Sequence, residues 1–126
     1  MEDLSHIRRM LVLEDEALIL LDLEQTLMEA GVETVLAAAT NDDALAIVDG
    51  AALDAAILDL NLGRGGWSYD VARRLQQKGI PFVFSSGTDQ VAAGFEGVPL
   101  VVKPFSSDQV VNTLRDACRR RDTQAA

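Results

Sequence analysis

Glu14 and Asp15, Asp59, Ser86 and Lys103 stand at or near the ends of four separate short apolar runs. Brought to one place, they would put three carboxylates, a hydroxyl and an ammonium in a single cleft. Three carboxylates that close repel each other, so such a site raises at least one pKa or attracts a cation. An all-oxygen donor set favours a hard ion, and Mg²⁺ suits a small carboxylate set that leaves positions for water and phosphate. No His or Cys cluster points to zinc, and His6, the only histidine, precedes the first apolar run and reads as a surface residue. Beside Mg²⁺ an aspartate carboxylate can attack a phosphoryl group, while an ammonium and a hydroxyl hold the phosphoryl oxygens. Asp59 is the best nucleophile, because it closes an apolar run and opens the Gly-rich stretch Asn61 to Gly66. Taken singly each assignment is weak, since acids often end strands as solvated punctuation; the joint pattern carries the reading.

The elements that must position these residues follow from periodicity. Arg9 to Leu13, Thr34 to Ala39, Ala55 to Leu58, Ile80 to Phe84 and Val98 to Val102 read as strands, short and apolar enough to be buried on both faces. Between them, Leu20, Leu23, Leu27 and Ala30 recur at helical spacing before Gly31. Thr40, Asn41 and Asp42 are candidate N-caps for a helix to Asp49, and Ser68 for one over Tyr69 to Lys78 closed by Gly79. Asp89 to Phe95 is a weak helical stretch, and Asp108 to Arg121 is the last helix before a frayed tail. Alternating strands and helices imply α/β architecture with a parallel sheet covered on both faces. Ligands of open α/β sheets bind beyond the carboxyl ends of the strands, where Glu14, Asp15, Asp59, Ser86 and Lys103 would gather.

Composition bounds the function classes. Apolar residues make up 48% and charged residues 25%, enough for one globular domain over residues 1–126, with an ordered core of about 7–121. A net charge of −9 argues against nucleic-acid binding. Arg119-Arg120-Arg121 is better read as a solvated last helical turn than as a basic patch. The single cysteine, Cys118, excludes an internal disulfide and suits a reducing compartment. With no apolar run near the length of a membrane span and an acidic N-terminus unlike a signal peptide, the cytoplasm is the expected location.

On these motifs the chain resembles the receiver domains of two-component response regulators (the CheY-like fold). Leu11 to Glu16 (LVLEDE) is similar to the acid pair after the first strand, and Ile57 to Leu62 (ILDLNL) to the phosphoacceptor segment. Ser85 to Gly87 (SSG) is similar to the hydroxyl step after strand four, and Val101 to Phe105 (VVKPF) to the lysine turn. The resemblance implies a five-stranded (βα)5 doubly wound sheet of order 2-1-3-4-5. It implies that Asp59 accepts a phosphoryl group from a histidine kinase or histidine phosphotransfer protein. Glu14, Asp15, Asp59 and the backbone carbonyl of Asn61 would bind Mg²⁺, Asp15 directly and Glu14 through water. Ser86 and Lys103 would hold the phosphate, with backbone room at Gly87. The implied behaviour is a signalling switch with slow self-hydrolysis rather than an ordinary enzyme, changing its surface around strands four and five toward a downstream protein target. The Lys103-Pro104 bond is often cis in such domains.

Two departures stand out. Leu100 occupies the position where the family commonly carries a switching Tyr or Phe, and Phe84, Phe95 and Phe105 read as core. Only sixteen residues separate Ser86 from Lys103, which with Gly94 and Gly97 implies a shortened or irregular fourth helix. Pro81 to Asp89 (PFVFSSGTD) together with the shortened fourth helix is similar to a subgroup of single-domain bacterial receivers with a Phe-Ala-Thr-Gly-type motif, although Ser85-Ser86 stands where that motif has Ala-Thr. The segment Thr88 to Gly97 is expected to be mobile and to order on phosphorylation. One rival is a phosphohydrolase of the haloacid-dehalogenase class, which wants an acid where Asn61 stands. Another is a receiver-like protein-interaction module that is never phosphorylated.

Overall fold

The computed structural model describes residues 4–125, with side chains described to Arg119. Five strands are β1 Arg9–Leu13, β2 Thr34–Ala38, β3 Ala55–Asp59, β4 Phe82–Ser86 and β5 Leu100–Val102. Four α-helices are α1 Ala17–Glu29, α2 Asn41–Gly50, α3 Tyr69–Lys78 and α4 Ser107–Ala125. The strands are all parallel and lie in the order β2-β1-β3-β4-β5, as the resemblance implies.

Both faces of the sheet are buried, because alternate side chains of each inner strand point to opposite sides. Met10, Val12, Ile57, Val83 and Val101 pack with Leu23 and Leu27 of α1 and Val110 and Leu114 of α4. Leu11, Leu13, Ala56, Leu58, Phe82 and Phe84 pack with Ala44 and Val48 of α2 and Val71 and Leu75 of α3. Burying side chains of this size contributes on the order of 2 kcal/mol each. These two layers hold the strand ends, and hence the acids on them, in fixed relation.

Helix starts and stops explain most of the remaining path. Thr40 is the N-cap of α2, its hydroxyl accepting the N–H of Asp43 at 3.1 Å. Gly79 ends α3 in the left-handed conformation at φ 70°, which a residue with a Cβ adopts only at a cost. Ser68 stands at the N-cap position of α3, but its side chain makes no capping bond; it is fully buried and its hydroxyl has no hydrogen-bond partner.

Several boundaries differ from the periodicity reading. β4 begins at Phe82 rather than Ile80, because Pro81 has no N–H to donate and only its carbonyl joins the ladder, accepting from Ala56. It runs on to Ser86, because Asp59 pairs with Ser85 and Val102 with Ser86. Small polar residues thus looked like loop where neighbouring strands impose extension. β5 is correspondingly short. Gly63–Gly65 forms a 3₁₀ turn inside the Gly-rich stretch expected to be irregular. The shortening expected of the helix between β4 and β5 goes to its limit: residues 87–99 hold only bends and turns. Three glycines and a proline in that segment leave too little helix propensity for a nucleus. The last helix runs beyond Arg121, since no Gly or Pro follows Pro104 to stop it. The side chains of Arg120 and Arg121, like residues 1–3, lie outside the described residues; Arg119 is exposed.

Candidate functional site

Glu14 follows β1 directly, Asp59 ends β3 and Lys103 follows β5, so the strand ends deliver all three to one sheet edge. Continued alternation places Glu14 with Val12, Asp59 with Ile57 and Lys103 with Val101, the residues facing α1 and α4. The side chains meet there. Lys103 Nζ lies 3.3 Å from Glu14 Oε1 and 3.3 Å from Asp59 Oδ2. Asp15 is exposed at the rim, and one carboxylate oxygen from each of Glu14, Asp15 and Asp59 falls within 4.8 Å of the others.

Glu14 and Asp59 are both buried, at 1% and 3% exposure, which is unusual for acids. Glu14 Oε2 accepts the N–H of Glu16 at 3.1 Å, whereas Oε1 is buried without a hydrogen bond, 3.3 Å from the Lys103 ammonium. Asp59 Oδ1 accepts the N–H of Asn61 at 3.4 Å, leaving Oδ2 to Lys103. Burial pushes the Glu14 carboxyl up to about 7, with the neighbouring Asp59 charge adding to it. Burial also raises Asp59, against the opposing pull of Lys103. Burial alone would lower Lys103, yet the Asp59 and Glu14 carboxylates outweigh it and its pKa rises. Both buried acids therefore keep their protons to higher pH than exposed carboxyls do.

Ser86 ends β4 next to the Asp59–Ser85 pair and is buried. Its hydroxyl accepts the N–H of Thr88 at 3.1 Å, and its carbonyl accepts the Lys103 N–H at 2.7 Å, tying the two residues together. A Cβ built on Gly87 would meet nothing within 4 Å, so the space beside Ser86 is open. The Asn61 side chain is occupied within its own loop, accepting the Gly63 N–H at 2.9 Å. Lys103-Pro104 is cis.

Three residues near this edge were given no part in the site by the sequence. Ser85, in register with Asp59, is buried with an unpartnered hydroxyl; a second serine beside Ser86 gave no sign of its burial. Asn41 Nδ2 donates to the carbonyls of Gly65 and Trp67 and so pins the loop after β3. Tyr69, hidden in an ordinary helix start, stacks between Trp67 and Phe95.

The fit of Mg²⁺ can be judged from the donors. They are all oxygens, three acids converge, and Glu14 Oε1 is buried without a hydrogen bond, so the set suits a hard cation. Among the described residues no helix is long and apolar enough to cross a membrane.

Comparison with known proteins agrees with this arrangement. None of the curated proteins compared with the chain matches it. The solution structure of SdrG from Sphingomonas melonis Fr1 is 36% identical, covers 92% of this chain and 99% of its own, and superposes with a TM-score of 0.74. A response regulator receiver protein from Sinorhizobium medicae WSM419 is 28% identical over 90% of this chain and 96% of its own, with a TM-score of 0.77. The receiver domain of the PhyR response regulator from Erythrobacter litoralis is 28% identical over 87% of this chain and 88% of its own, at 0.76. Residues 10–115 match the model of the response regulator receiver domain, and that span holds every residue of the acidic edge: the chain belongs to the receiver domain family of response regulators.

Proposed function

We propose that residues 1–126 form one receiver unit that accepts a phosphoryl group on Asp59 from a phosphohistidine of a histidine kinase or phosphotransfer protein. The observation that carries this is the meeting of Asp59, Glu14 and Asp15 oxygens within 4.8 Å, with Lys103 at 3.3 Å from two of them. In the transfer the P–N bond of the donor breaks as an Asp59 carboxylate oxygen bonds to phosphorus, and the imidazole leaves with the electron pair. Lys103 neutralises a phosphoryl oxygen, and Ser86, whose hydroxyl keeps its own proton to give, donates to another. Glu14, Asp15, Asp59 and the Asn61 carbonyl would hold Mg²⁺, which supplies charge neutralisation for the phosphoryl oxygens. Water attack on the acyl phosphate returns Asp59 and inorganic phosphate, the slow self-hydrolysis that resets the switch.

The readable surface is the β4–β5 region, which joins Ser86 and Lys103 to an exposed segment. A downstream protein target reads it there, in the cytoplasm of a bacterium. Excess negative charge speaks against nucleic acid as the partner.

The test is a beryllofluoride titration with Mg²⁺, followed by amide NMR on wild type and Asp59→Ala. Shifts near Asp59, Ser86 and Lys103 in wild type alone support the phosphoacceptor reading. No Mg²⁺-dependent response in either protein would leave a receiver-like interaction module that is never phosphorylated.

A further inference from the structure

Residues 88–94, which replace the missing helix, are exposed or half-exposed, yet the segment is held at both ends. At its start the Thr88 N–H donates to Ser86 Oγ at 3.1 Å. At its far end the Ala92 N–H donates to Tyr69 Oη at 2.8 Å, and Phe95 is buried against the Tyr69 ring, with centroids 5.1 Å apart. Tyr69 is the first residue of α3, and the loop leading into it starts at Asp59. Ser68 N–H donates to the Leu60 carbonyl, and Asn61 bridges to Trp67, which stacks on Tyr69 at 6.1 Å. The Tyr69 ring also meets Phe84 of β4 edge-on at 6.0 Å. One tyrosine thus joins the loop that leaves Asp59 to the segment that leaves Ser86.

We propose that Tyr69 is a positioning residue that anchors the 88–95 segment to α3 and so pre-organises Ser86 and Thr88 for the phosphoryl group on Asp59. Leu100 offers no aromatic ring or hydroxyl for such a link, and no helix stands between β4 and β5 to hold the segment in place. The far end is fixed by the Tyr69 hydroxyl and the Phe95 stack, so ordering on phosphorylation is confined to the few residues from Thr88 to Val91. Holding those ends in advance lowers the conformational entropy that binding must remove. The coupling rests on the phosphoacceptor reading above; the anchoring contact does not.

Tyr69→Phe separates the two, because it keeps the ring stack and removes only the acceptor for Ala92. Amide exchange is measured at Ala92 in wild type and variant without ligand, and beryllofluoride affinity is measured at saturating Mg²⁺. The anchor predicts exchange at Ala92 about fivefold faster and beryllofluoride binding weaker by a similar factor, the loss of one ordinary hydrogen bond. Mg²⁺ affinity alone stays unchanged, since Tyr69 touches none of the acids; a general loss of structure would lower it too. Unchanged exchange at Ala92 overturns the anchor. Faster exchange with unchanged or tighter beryllofluoride binding overturns the pre-organisation. If wild type itself gives no Mg²⁺-dependent response, the phosphoacceptor reading fails and the coupling with it, while exchange at Ala92 still judges the contact.

Discussion

The two ends of the sheet both carry acids, and they treat them in opposite ways. At the end where the strands begin, Asp54 Oδ2 accepts the backbone N–H groups of Arg8 and Arg9 at 2.9 and 3.1 Å, and Arg8 pairs in solvent with Glu33. At the end where they finish, Glu14 and Asp59 are buried against each other, one Glu14 oxygen has no hydrogen bond, and a single lysine serves both. An acid whose oxygens are taken up by backbone N–H groups is holding a turn. Acids buried together with fewer donors than oxygens form the all-oxygen set that suits a hard cation.

The largest difference should appear in pH dependence. Glu14 rises from 4.5 to about 7 on folding, so between those values the folded state keeps a proton that the unfolded chain has released. Stability of the metal-free protein therefore falls as pH rises through that window, by up to about 3 kcal/mol for this group. Asp59 is raised as well and acts in the same direction. Lys103 stays protonated throughout the window and adds no slope there. Glu14→Gln should flatten the decline, so that its urea midpoint gains on wild type from pH 4.5 to 7. Parallel curves would mean that Glu14 is accommodated as an ordinary surface acid.

Mg²⁺ should act on one end of the sheet only. At pH 7 and a hundredfold excess over its Kd it should stabilise wild type by about 2.7 kcal/mol, the linkage value for one site. Asp59→Ala should lose most of that gain, and Asp54→Ala none of it. Thermal melts with and without Mg²⁺ give both numbers, and equal gains in the two variants would break the distinction between the ends.

Asp54→Ala carries its own, smaller signature. Two backbone donors lose their acceptor near the surface, which costs about 1 kcal/mol at neutral pH. Beryllofluoride binding should be untouched. A loss of binding with intact stability would show that the two ends communicate through β1 and β3.

Why the finishing end was legible in the sequence is itself physical. A strand of fixed rise in a parallel sheet brings its last residue to the same edge as its neighbours', so Glu14, Asp59 and Lys103 could be placed from run lengths alone. The topology came from the alternation and the family motifs together, and the cis Lys103-Pro104 bond from the motif. What stayed hidden depends on partners far along the chain. Ser85 and Ser86 look like loop until Asp59 and Val102 pair with them. Ser68 looks like a cap, yet its side chain makes no capping bond in its buried setting. Tyr69 shows no sign of its role until Ala92, 23 residues later, donates to its hydroxyl.

That last contact sets the smallest prediction, within the segment that joins the two treatments of polar groups. Thr88, Asp89 and Gln90 are exposed, and the Thr88 and Gln90 N–H groups bond only to the side chains of Ser86 and Thr88, at 3.1 and 3.4 Å. Local bonds of this kind open readily, so these amides should exchange within a few-fold of unfolded rates in the free protein. Phe95, buried among Tyr69 and Phe84, should already be protected. Beryllofluoride with Mg²⁺ should slow Thr88 to Gln90 severalfold and change Phe95 little, because order then spreads from Ser86 toward an end that is fixed. Equal protection in the two states would mean that phosphorylation does not order the segment, and the signal would have to leave the site by another face. Slowing at Phe95 as large as at Thr88 would mean that the whole segment moves as one body, with no fixed end at α3.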